Sequence, residues 1–361
     1  MPKQIKPHAV RLEFAPGALV HCNLSGAAFS GSDWLWVAGD EACGLDRLQR
    51  LTPEGEEQLR FGAPVNFPLA ELLDLPGGAE DEADLEGLAL AEGYLWVVGS
   101  HGIKRKNAKP GKYASENARR LAKLALDPNR RLIARIPVEA DAAGQPVLRS
   151  RTLDGRSALR LKGDALDNEL TRLLADDPHL APFLAIPGKD NGLDIEGLAV
   201  MGSRLLLGLR GPVLRGWSGL LEIALEERGG QLRLAALDKD GTKLRKHFLQ
   251  LNGLGVRDLH FSGDDLYILA GPTMVLDGAI RIFRWADARS QLAANREACS
   301  FQETLSLHLE LPHGQGCNRA EALCELPPEL AGAQRHWLAL YDAPGPERCE
   351  GEYTVFGDLL A

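Results

Sequence analysis

Acidic side chains recur at equivalent positions of a repeated motif, where they could bind a cation. Asp84-Leu-Glu86-Gly and Asp194-Ile-Glu196-Gly each place two carboxylates directly before a short apolar run. Hard divalent cations such as calcium and magnesium prefer oxygen ligands of this kind. The sequence therefore predicts a metal site formed by Asp84, Glu86, Asp194 and Glu196, with calcium or magnesium as the expected ion.

Basic side chains occupy neighbouring positions and could bind an anion. Arg210, Arg257 and Arg319 flank the apolar runs, and Lys104 and Arg105 open the most basic stretch of the chain. The planar fork of arginine matches the oxygens of a phosphate or a carboxylate. We expect these five residues to bind a small anionic ligand, with a phosphorylated compound as one candidate.

A histidine follows the second apolar run of one motif and could act in catalysis. His101 comes directly after Gly99-Ser100, and imidazole is a common general acid or base. A metal ion could polarise an anionic substrate for attack by water. With His101 and Glu196 as the catalytic residues, the sequence predicts a metal-dependent hydrolase resembling a phosphoesterase.

A structural role for the same charges is the alternative. A buried carboxylate is costly unless it is paired, and the arginines could neutralise the acids internally. The protein would then be a non-catalytic scaffold that binds a protein or peptide, which is common for repeat folds. The two interpretations differ in whether a small anion or a protein is the partner.

The charged residues belong to a repeat that should position them. Related segments begin at residues 23, 84, 194, 255 and 318, so the intervals are 61, 110, 61 and 63 residues. Each segment contains two short apolar strands joined by a turn, which indicates a hairpin. Repeating units of roughly 40 to 50 residues with several strands each are typical of β-propeller blades, and a somewhat longer unit fits longer loops. The residues that enter first strands and leave second strands should meet at one mouth of the central channel.

Blade number and chain closure follow from the intervals and from the two ends of the chain. The helical spacing near 164–185 and the basic loop fill the long interval, so five blades are expected, with six as the alternative. The strands predicted at 8–14 and 352–357 lack local partners, and pairing between them would close the last blade. We expect an all-β protein with one domain over 1–361, a basic loop insertion at 102–118 and a partly helical insertion at 139–190.

Composition narrows the classes of function. The 361 residues have a net charge of −9, which argues against nucleic-acid binding. No secretory signal and no apolar run of about 18 residues occur, so a cytoplasmic protein without membrane association is expected, and we expect a monomer. The six cysteines show no C-x-x-C spacing and are interpreted as reduced, with disulfides or a metal as the alternatives.

Several short motifs of the chain match those of a known family. They are Asp-x-Glu-Gly-Leu-Ala at 84–89 and 194–199, Gly-Ser-His at 99–101, Gly-Leu-Arg-Gly-Pro at 208–212 and Val-Arg-Asp-Leu at 256–259. Through these motifs the chain resembles a bacterial family named domain of unknown function 3616. The resemblance extends over nearly the whole chain, and the family implies no established activity. The Asp-x-Glu-Gly signature is also distantly similar to that of esterase-like phytase propellers, which implies phosphate-ester chemistry.

Overall fold

Five antiparallel hairpins recur along the chain, and each begins with a largely buried strand that carries the repeated motif. The computed structural model describes residues 5–52, 58–331 and 335–361. Period-two apolar runs form the strands, and glycines permit the tight turns between them. Gly93 and Gly202, for example, have φ of 76° and 59°, a region that residues with side chains rarely adopt.

The strands form four main sheets. The first strand is β1 (Ile5–Glu13), followed by β2 (Leu24–Ser30), β3 (Trp34–Gly39), β4 (Gly44–Leu51) and β5 (Leu59–Pro68). The second hairpin region contains β6 (Leu85–Ala91), β7 (Tyr94–Gly99), β8 (Lys104–Arg105), β9 (Leu124–Ala125), β10 (Ile133–Ala140), β11 (Pro146–Leu148) and β12 (Leu159–Arg160). The third contains β13 (Asp194–Met201), β14 (Arg204–Leu214), β15 (Trp217–Arg228), β16 (Gln231–Ala235) and β17 (Arg245–Gln250).

The remaining strands complete the last two hairpin regions. They are β18 (Gly255–Ser262), β19 (Asp265–Gly271), β20 (Ile280–Trp285), β21 (Cys299–Gln302), β22 (Ser306–Leu311), β23 (Arg319–Glu325), β24 (Trp337–Asp342), β25 (Cys349–Glu350) and β26 (Thr354–Leu360). The hydrogen-bonded orders are β6-β7-β10-β11 with β12 beside β10, β13-β14-β15-β17-β21 with β16 beside β15, β18-β19-β20-β22, and one long path β2-β3-β4-β5-β1-β26-β24-β23 with β25 beside β26.

The first strands of the five hairpins contact one another in a ring. β2 contacts β6, β6 contacts β13, β13 contacts β18, β18 contacts β23, and β23 contacts β2. Apolar side chains fill the spaces between neighbouring sheets; Trp36, Leu88 and Val97, for example, share one buried cluster. The fold is therefore all-β and propeller-like, as the sequence predicts.

The N-terminal strand pairs with the C-terminal strand. β1 runs antiparallel to β26 from Ile5 opposite Leu360 to Glu13 opposite Thr354. β1 is also parallel to β5, which joins the first and last hairpin regions in one sheet. Asp358 on β26 accepts hydrogen bonds from Arg348 and from the Tyr341 hydroxyl. The predicted pairing of the two ends is confirmed.

Helices are few and short. They are α1 (Leu69–Leu72), α2 (Ala114–Leu121), α3 (Glu169–Leu174), α4 (Ala288–Ala294) and α5 (Pro328–Ala331), with 3-10 turns at Val20–Cys22, Pro128–Arg131, Ala181–Phe183, Gly188–Asp190 and Pro346–Arg348. α3 lies in the predicted helical insertion and begins with a capping box between Asn168 and Thr171. The prediction of a single helical insertion was incomplete, because α2 lies in the basic loop and α4 follows β20. Apolar periodicity did not reveal α2, which buries no side chain.

Two further observations concern membrane-spanning helices and the state of the cysteines. Within the described ranges, no helix has the length and apolar character needed to cross a membrane. All six cysteines are free thiols.

Leu12→Ala should measure how much the closing strand contributes to stability. Leu12 on β1 is fully buried in a cluster with Leu35 and Val355. Removal of its side chain leaves a cavity, and we expect the free energy of unfolding to fall by about 2 to 5 kcal/mol. Leu19→Ala is the matched control, because Leu19 is 62% exposed and should matter little. Urea unfolding of both variants gives the comparison, and equal losses would contradict the closure.

Candidate cation site at the mouth of the channel

Strand pairing skips one residue at the same place in every hairpin. Leu85 is opposite Gly99 and Gly87 is opposite Val98, so Glu86 has no opposite residue. A bulge of this kind bends a strand and re-aims a side chain. The five skipped residues are Ser25, Glu86, Glu196, Arg257 and Glu321. Because of these bulges, each motif has one residue near the start of its first strand that no residue of the second strand pairs with.

A cavity of about 320 Å³ lies at the end of the ring where first strands begin and second strands end, which we call the mouth. Its floor contains carboxylates of the motifs, and its wall comes from the basic loop and the turn at Gly188–Asp190. The residues that line it include Asp40, Glu41, Asp84, Glu86, Ile103, Lys104, Arg105, Lys106, Asn107, Leu121, Arg130, Lys189, Asp194, Arg210 and Val275. The structure thus brings together most of the charged residues that the sequence places at one mouth.

Two buried arginines bind carboxylates of the motifs. Arg210 forms an ion pair with Asp194, and its Nη1 lies 2.5 Å from Oε1 of Glu196. Arg257 Nη1 lies 3.0 Å from Oε2 of Glu196 and 2.5 Å from Oε1 of Glu321. Burial opposes the charge of Arg210, yet Asp194 and Glu196 raise its pKa above the usual range. These predicted anion-binding arginines are therefore bound within the protein.

Burial affects Glu196 strongly even though two arginines contact it. Glu196 is 1% exposed, and burial raises its pKa to about 7 although Arg210 and Arg257 act to lower it. Asp194, also buried, contacts Arg210. Two of the four predicted metal ligands, Asp194 and Glu196, are thus engaged by arginine. The arrangement does not fit the prediction that all four carboxylates share one ion.

A different carboxylate cluster fits a cation. One carboxylate oxygen from each of Asp40, Asp84 and Glu86 lies within 4.8 Å of the others. Glu86 is 5% exposed and forms no hydrogen bond or ion pair with any other residue the structure describes. Oδ1 of Asp40 is buried without a partner. Asp84 forms an ion pair with Arg130 through one oxygen and has a second carboxylate oxygen.

Burial and mutual repulsion make this cluster unusual electrostatically. Burial, together with the charges of Glu321, Asp84 and Asp342, raises the pKa of Asp40 to about 8, although the charge of Lys189 acts to lower it. Burial likewise raises the pKa of Glu86 well above its ordinary value, with Glu196, Asp84 and Asp40 adding to the shift. Adjacent carboxylates without cations hold protons in this way, and a divalent cation would displace those protons.

The donor set of Asp40, Asp84 and Glu86 suits a hard cation. All the donors are carboxylate oxygens, which favour calcium or magnesium over softer metals. Asp84 has φ of 49°, a conformation uncommon for a residue with a side chain and often associated with functional sites. The fit rests on this chemistry together with the buried, unpartnered carboxylate of Glu86.

Both ring nitrogens of His101 form hydrogen bonds within the protein. Its Nδ1 donates a hydrogen bond of 2.8 Å to the carbonyl of Gly99, and its Nε2 accepts one of 2.8 Å from Nδ2 of Asn168. The side chain is 2% exposed, and burial lowers its pKa to about 4. Both ring nitrogens are therefore used to attach the helical insertion to the second hairpin. The predicted catalytic role of His101 does not agree with this placement.

The basic loop forms one wall of the cavity and is held in place. Ile103 bridges to Pro187, and the Gly188 amide donates to the Ile103 carbonyl at 3.1 Å. Lys104 pairs with Glu82, and Arg105 Nε lies 2.6 Å from Oδ2 of Asp190. The loop therefore lies where the sequence predicts a ligand clamp. However, Lys104 and Arg105, which were predicted to bind the ligand, are already paired with carboxylates.

Arg319 lies at a smaller neighbouring cavity. Its Nη1 is 3.4 Å from Oδ2 of Asp342, and both residues line this second cavity beside Glu86 and Asp40. Burial and Glu321 raise the pKa of Asp342 to about 6. Arg319 is therefore partly neutralised, although its side chain retains 33% exposure.

Several site residues were not assigned from the sequence. Asp40 was recognised as leaving a second strand but not as a metal ligand, although its position after Gly39 matches that of Ser100 after Gly99. Lys106 lies within the basic loop, so its charge was visible, but its place in the cavity was not. Arg130 and Lys189 had no signal in the repeat, because they come from turns outside the hairpins.

Residues 23–358 match the profile of a family described as protein of unknown function (DUF3616). The chain belongs to this family. The match covers all five motifs and confirms the resemblance found in the sequence. No curated protein matches the chain.

Solved structures show similarity at low identity. Virginiamycin B lyase from Staphylococcus aureus is 9% identical, with a TM-score of 0.35 and coverage of 99% of both chains. A protein described as a putative oxidoreductase (glucose dehydrogenase) from Thermus thermophilus is 14% identical, with a TM-score of 0.38 and coverage of 99% of this chain and 100% of that chain. Similarity at this level says nothing about the function of this DUF3616 protein.

Proposed function

We propose that this protein binds a divalent cation, calcium or magnesium, through Asp40, Asp84 and Glu86, and that the cation helps to bind a small anionic ligand. The observation that carries the proposal is the buried and unpartnered carboxylate of Glu86 beside two further carboxylates. Calcium and magnesium bind carboxylate oxygens, and a bound divalent cation offsets the repulsion between neighbouring acids.

The cavity above the cluster supports a ligand of negative charge. Lys106 and Lys189 line it, and neither side chain forms an ion pair with another described residue. A cation bound at the floor of the cavity would add positive charge next to a bound anion. A phosphorylated compound or a carboxylate would therefore meet favourable charges at two parts of one cavity.

Binding is better supported than catalysis. Glu196, the predicted catalytic carboxylate, contacts Arg210 and Arg257, and His101 is occupied by Gly99 and Asn168. A hydrolase would need another general base beside the ligand, such as a carboxylate of the cluster itself. Metal-assisted hydrolysis of a phosphate ester is thus an extension of the proposal, and a scaffold that binds a protein is the alternative.

We infer a single five-bladed propeller domain for the whole chain. The ring of contacts among β2, β6, β13, β18 and β23 supports five blades over six. The pairing of β1 with β26 supports one closed unit. A cytoplasmic location, a monomeric state and the absence of a nucleic-acid partner stay predictions from composition.

Calorimetric titration with hexyl phosphate tests the proposed function. At pH 8.5 with saturating calcium we expect a dissociation constant below about 1 mM, and with a chelator we expect no measurable binding. Phosphate release in the same samples would reveal hydrolysis. If hexyl phosphate binds with the same affinity in the presence of the chelator, the cation takes no part in ligand binding. Failure to bind with either calcium or magnesium would favour the scaffold.

A further inference from the structure

We propose a second binding site at the end of the ring opposite the mouth, where a small carboxylate with an apolar body binds against Arg289. This site goes beyond the proposed function, which concerns the mouth alone. Three features of the molecule support it: close packing at the centre of the ring, an apolar cavity beyond that packing, and an arginine of the cavity wall without an acidic partner.

The first strands pack closely just beyond the mouth. Gly87 follows Glu86 of the cation cluster, and a Cβ at Gly87 would lie 2.8 Å from Cβ of Leu198. A Cβ at Gly197 would likewise lie 2.8 Å from Cγ of Leu259. Glycine at these positions allows the neighbouring strands to approach this closely. Leu198 and Leu259 therefore fill the space between first strands at this level of the ring.

A second cavity, of about 230 Å³, lies at the opposite end of the ring, where the first strands end. Residues of β2, β6, β13 and β18 line it, together with Glu325 at the end of β23. Its apolar lining includes the partly buried side chains of Phe29, Leu90, Val200 and Phe261. An apolar ligand body would remove these side chains from water, which favours binding.

Arg289 on α4 brings a positive charge to the wall of this cavity. Its Cζ lies 3.9 Å from the centre of the Phe261 ring, and its Nε donates a hydrogen bond of 2.9 Å to the Gly263 carbonyl. These contacts hold the guanidinium against a lining side chain. Within the described parts of the chain, its Nη groups form no hydrogen bond and no ion pair. The remaining N–H donors are available to a ligand, and their planar arrangement matches a carboxylate.

The other polar groups of the cavity favour a ligand with a single negative charge. Glu325 lines the cavity, and its Oε1 lies 3.7 Å from Nε of Arg335. The Glu325 carboxylate would repel a dianionic phosphate more strongly than a carboxylate with one charge. His260 also lines the cavity, and burial together with the charge of Arg289 lowers its pKa to about 4, so its ring adds no charge at neutral pH.

Matched ligands test this site in the full-length protein. They would be titrated calorimetrically at pH 7 with a chelator present, so that no divalent cation is bound at the mouth. We expect a dissociation constant below about 1 mM for hexanoate. Hexanol should bind at least about tenfold more weakly, because it lacks charge-assisted hydrogen bonds to Arg289. Butyrate should bind about 15-fold more weakly than hexanoate, because each CH₂ group contributes about fourfold.

Arg289→Gln should weaken hexanoate binding by about tenfold or more, because it removes the positive charge from the cavity wall. Arg296→Gln is the matched control, since Arg296 follows the same helix, is exposed and does not line the cavity. We expect this control to bind hexanoate with an affinity within about twofold of the wild type.

Anomalous diffraction from crystals soaked in 6-bromohexanoate would locate the ligand. We expect the bromine peak among the ends of the first strands, near Leu90 and Val200. A peak at the mouth, equal affinities of the wild type for hexanoate and hexanol, or equal affinities of the Arg289 and Arg296 variants for hexanoate would each overturn the second site. Calcium-dependent binding of hexyl phosphate tests the mouth separately, so the two sites can fail independently.

Discussion

Arg210→Ala should lower the free energy of unfolding by about 3 to 5 kcal/mol, because it leaves Asp194 and Glu196 buried without their principal cation. Arg210 contacts both carboxylates, and Asp194 and Glu196 are each 1% exposed. Urea unfolding at pH 7 measures the loss. The large effect reflects the desolvated charges that remain, and it exceeds the net contribution of the ion pairs themselves.

Two further variants make the Arg210 result specific. Arg319→Ala removes an arginine that is 33% exposed and 3.4 Å from Asp342, so we expect a loss of no more than about 1 kcal/mol. Combining Arg210→Met with Asp194→Asn and Glu196→Gln removes the buried charges together and should recover much of the stability. Equal losses for Arg210→Ala and Arg319→Ala would contradict the account of the buried network.

Glu86→Gln should weaken calcium binding by about 100-fold or more, because it removes the charge of a central ligand in the cluster. Glu41→Gln is the matched control, since Glu41 lines the same cavity outside the cluster and changes the net charge equally. We expect the control to change calcium affinity less than about threefold. Calorimetric titration of the two variants with calcium at pH 8.5 measures the difference. Similar calcium affinities of the two variants would exclude Glu86 as a ligand.

For the cluster of Asp40, Asp84 and Glu86, we expect pH to have opposite effects on the stability of the protein and on its calcium affinity. The folded-state pKa of Asp40, about 8, lies above the value of 3.8 expected for an unfolded chain. Without a cation, the folded protein therefore binds more protons between about pH 4 and pH 8, and stability should be lost as pH rises through this window. Calcium requires the ionised carboxylates, so its affinity should rise over the same range.

Much of the mouth could be predicted from the repeat. Asp84-x-Glu86 and Asp194-x-Glu196 recur in register, and antiparallel hairpins in a ring bring equivalent positions to one end. The pairing of the chain ends was also visible, because the strands at 8–14 and 352–357 lacked neighbours in sequence. The repeat alone was therefore enough to predict roughly where the charged residues lie.

The choice of partners within the mouth could not be read from the repeat. Arg210 binds Asp194 and Glu196 of its own hairpin, whereas Arg257 connects Glu196 to Glu321 across three hairpins. These pairings depend on bulges and on the separation between neighbouring strands. They also determine which carboxylates remain for a cation, so the metal ligands could not be selected from residue type alone.

His101 shows the same limit for a single residue. Its position after a second strand resembles that of an active-site residue, but Asn168 lies 67 positions away in the helical insertion and hydrogen-bonds its ring. Only the packing of α3 against the second hairpin region creates this contact. A local motif could therefore indicate where His101 lies along the chain but not what its side chain contacts.

Anomalous diffraction from crystals soaked in manganese would test the cation site most directly. Manganese prefers the same oxygen ligands as calcium and magnesium, and its anomalous signal locates the ion independently of the protein atoms. We expect one strong peak between the carboxylates of Asp40, Asp84 and Glu86 at pH 8.5, and no such peak in Glu86→Gln crystals. A map of the wild type without a peak among these three residues would contradict this cation site.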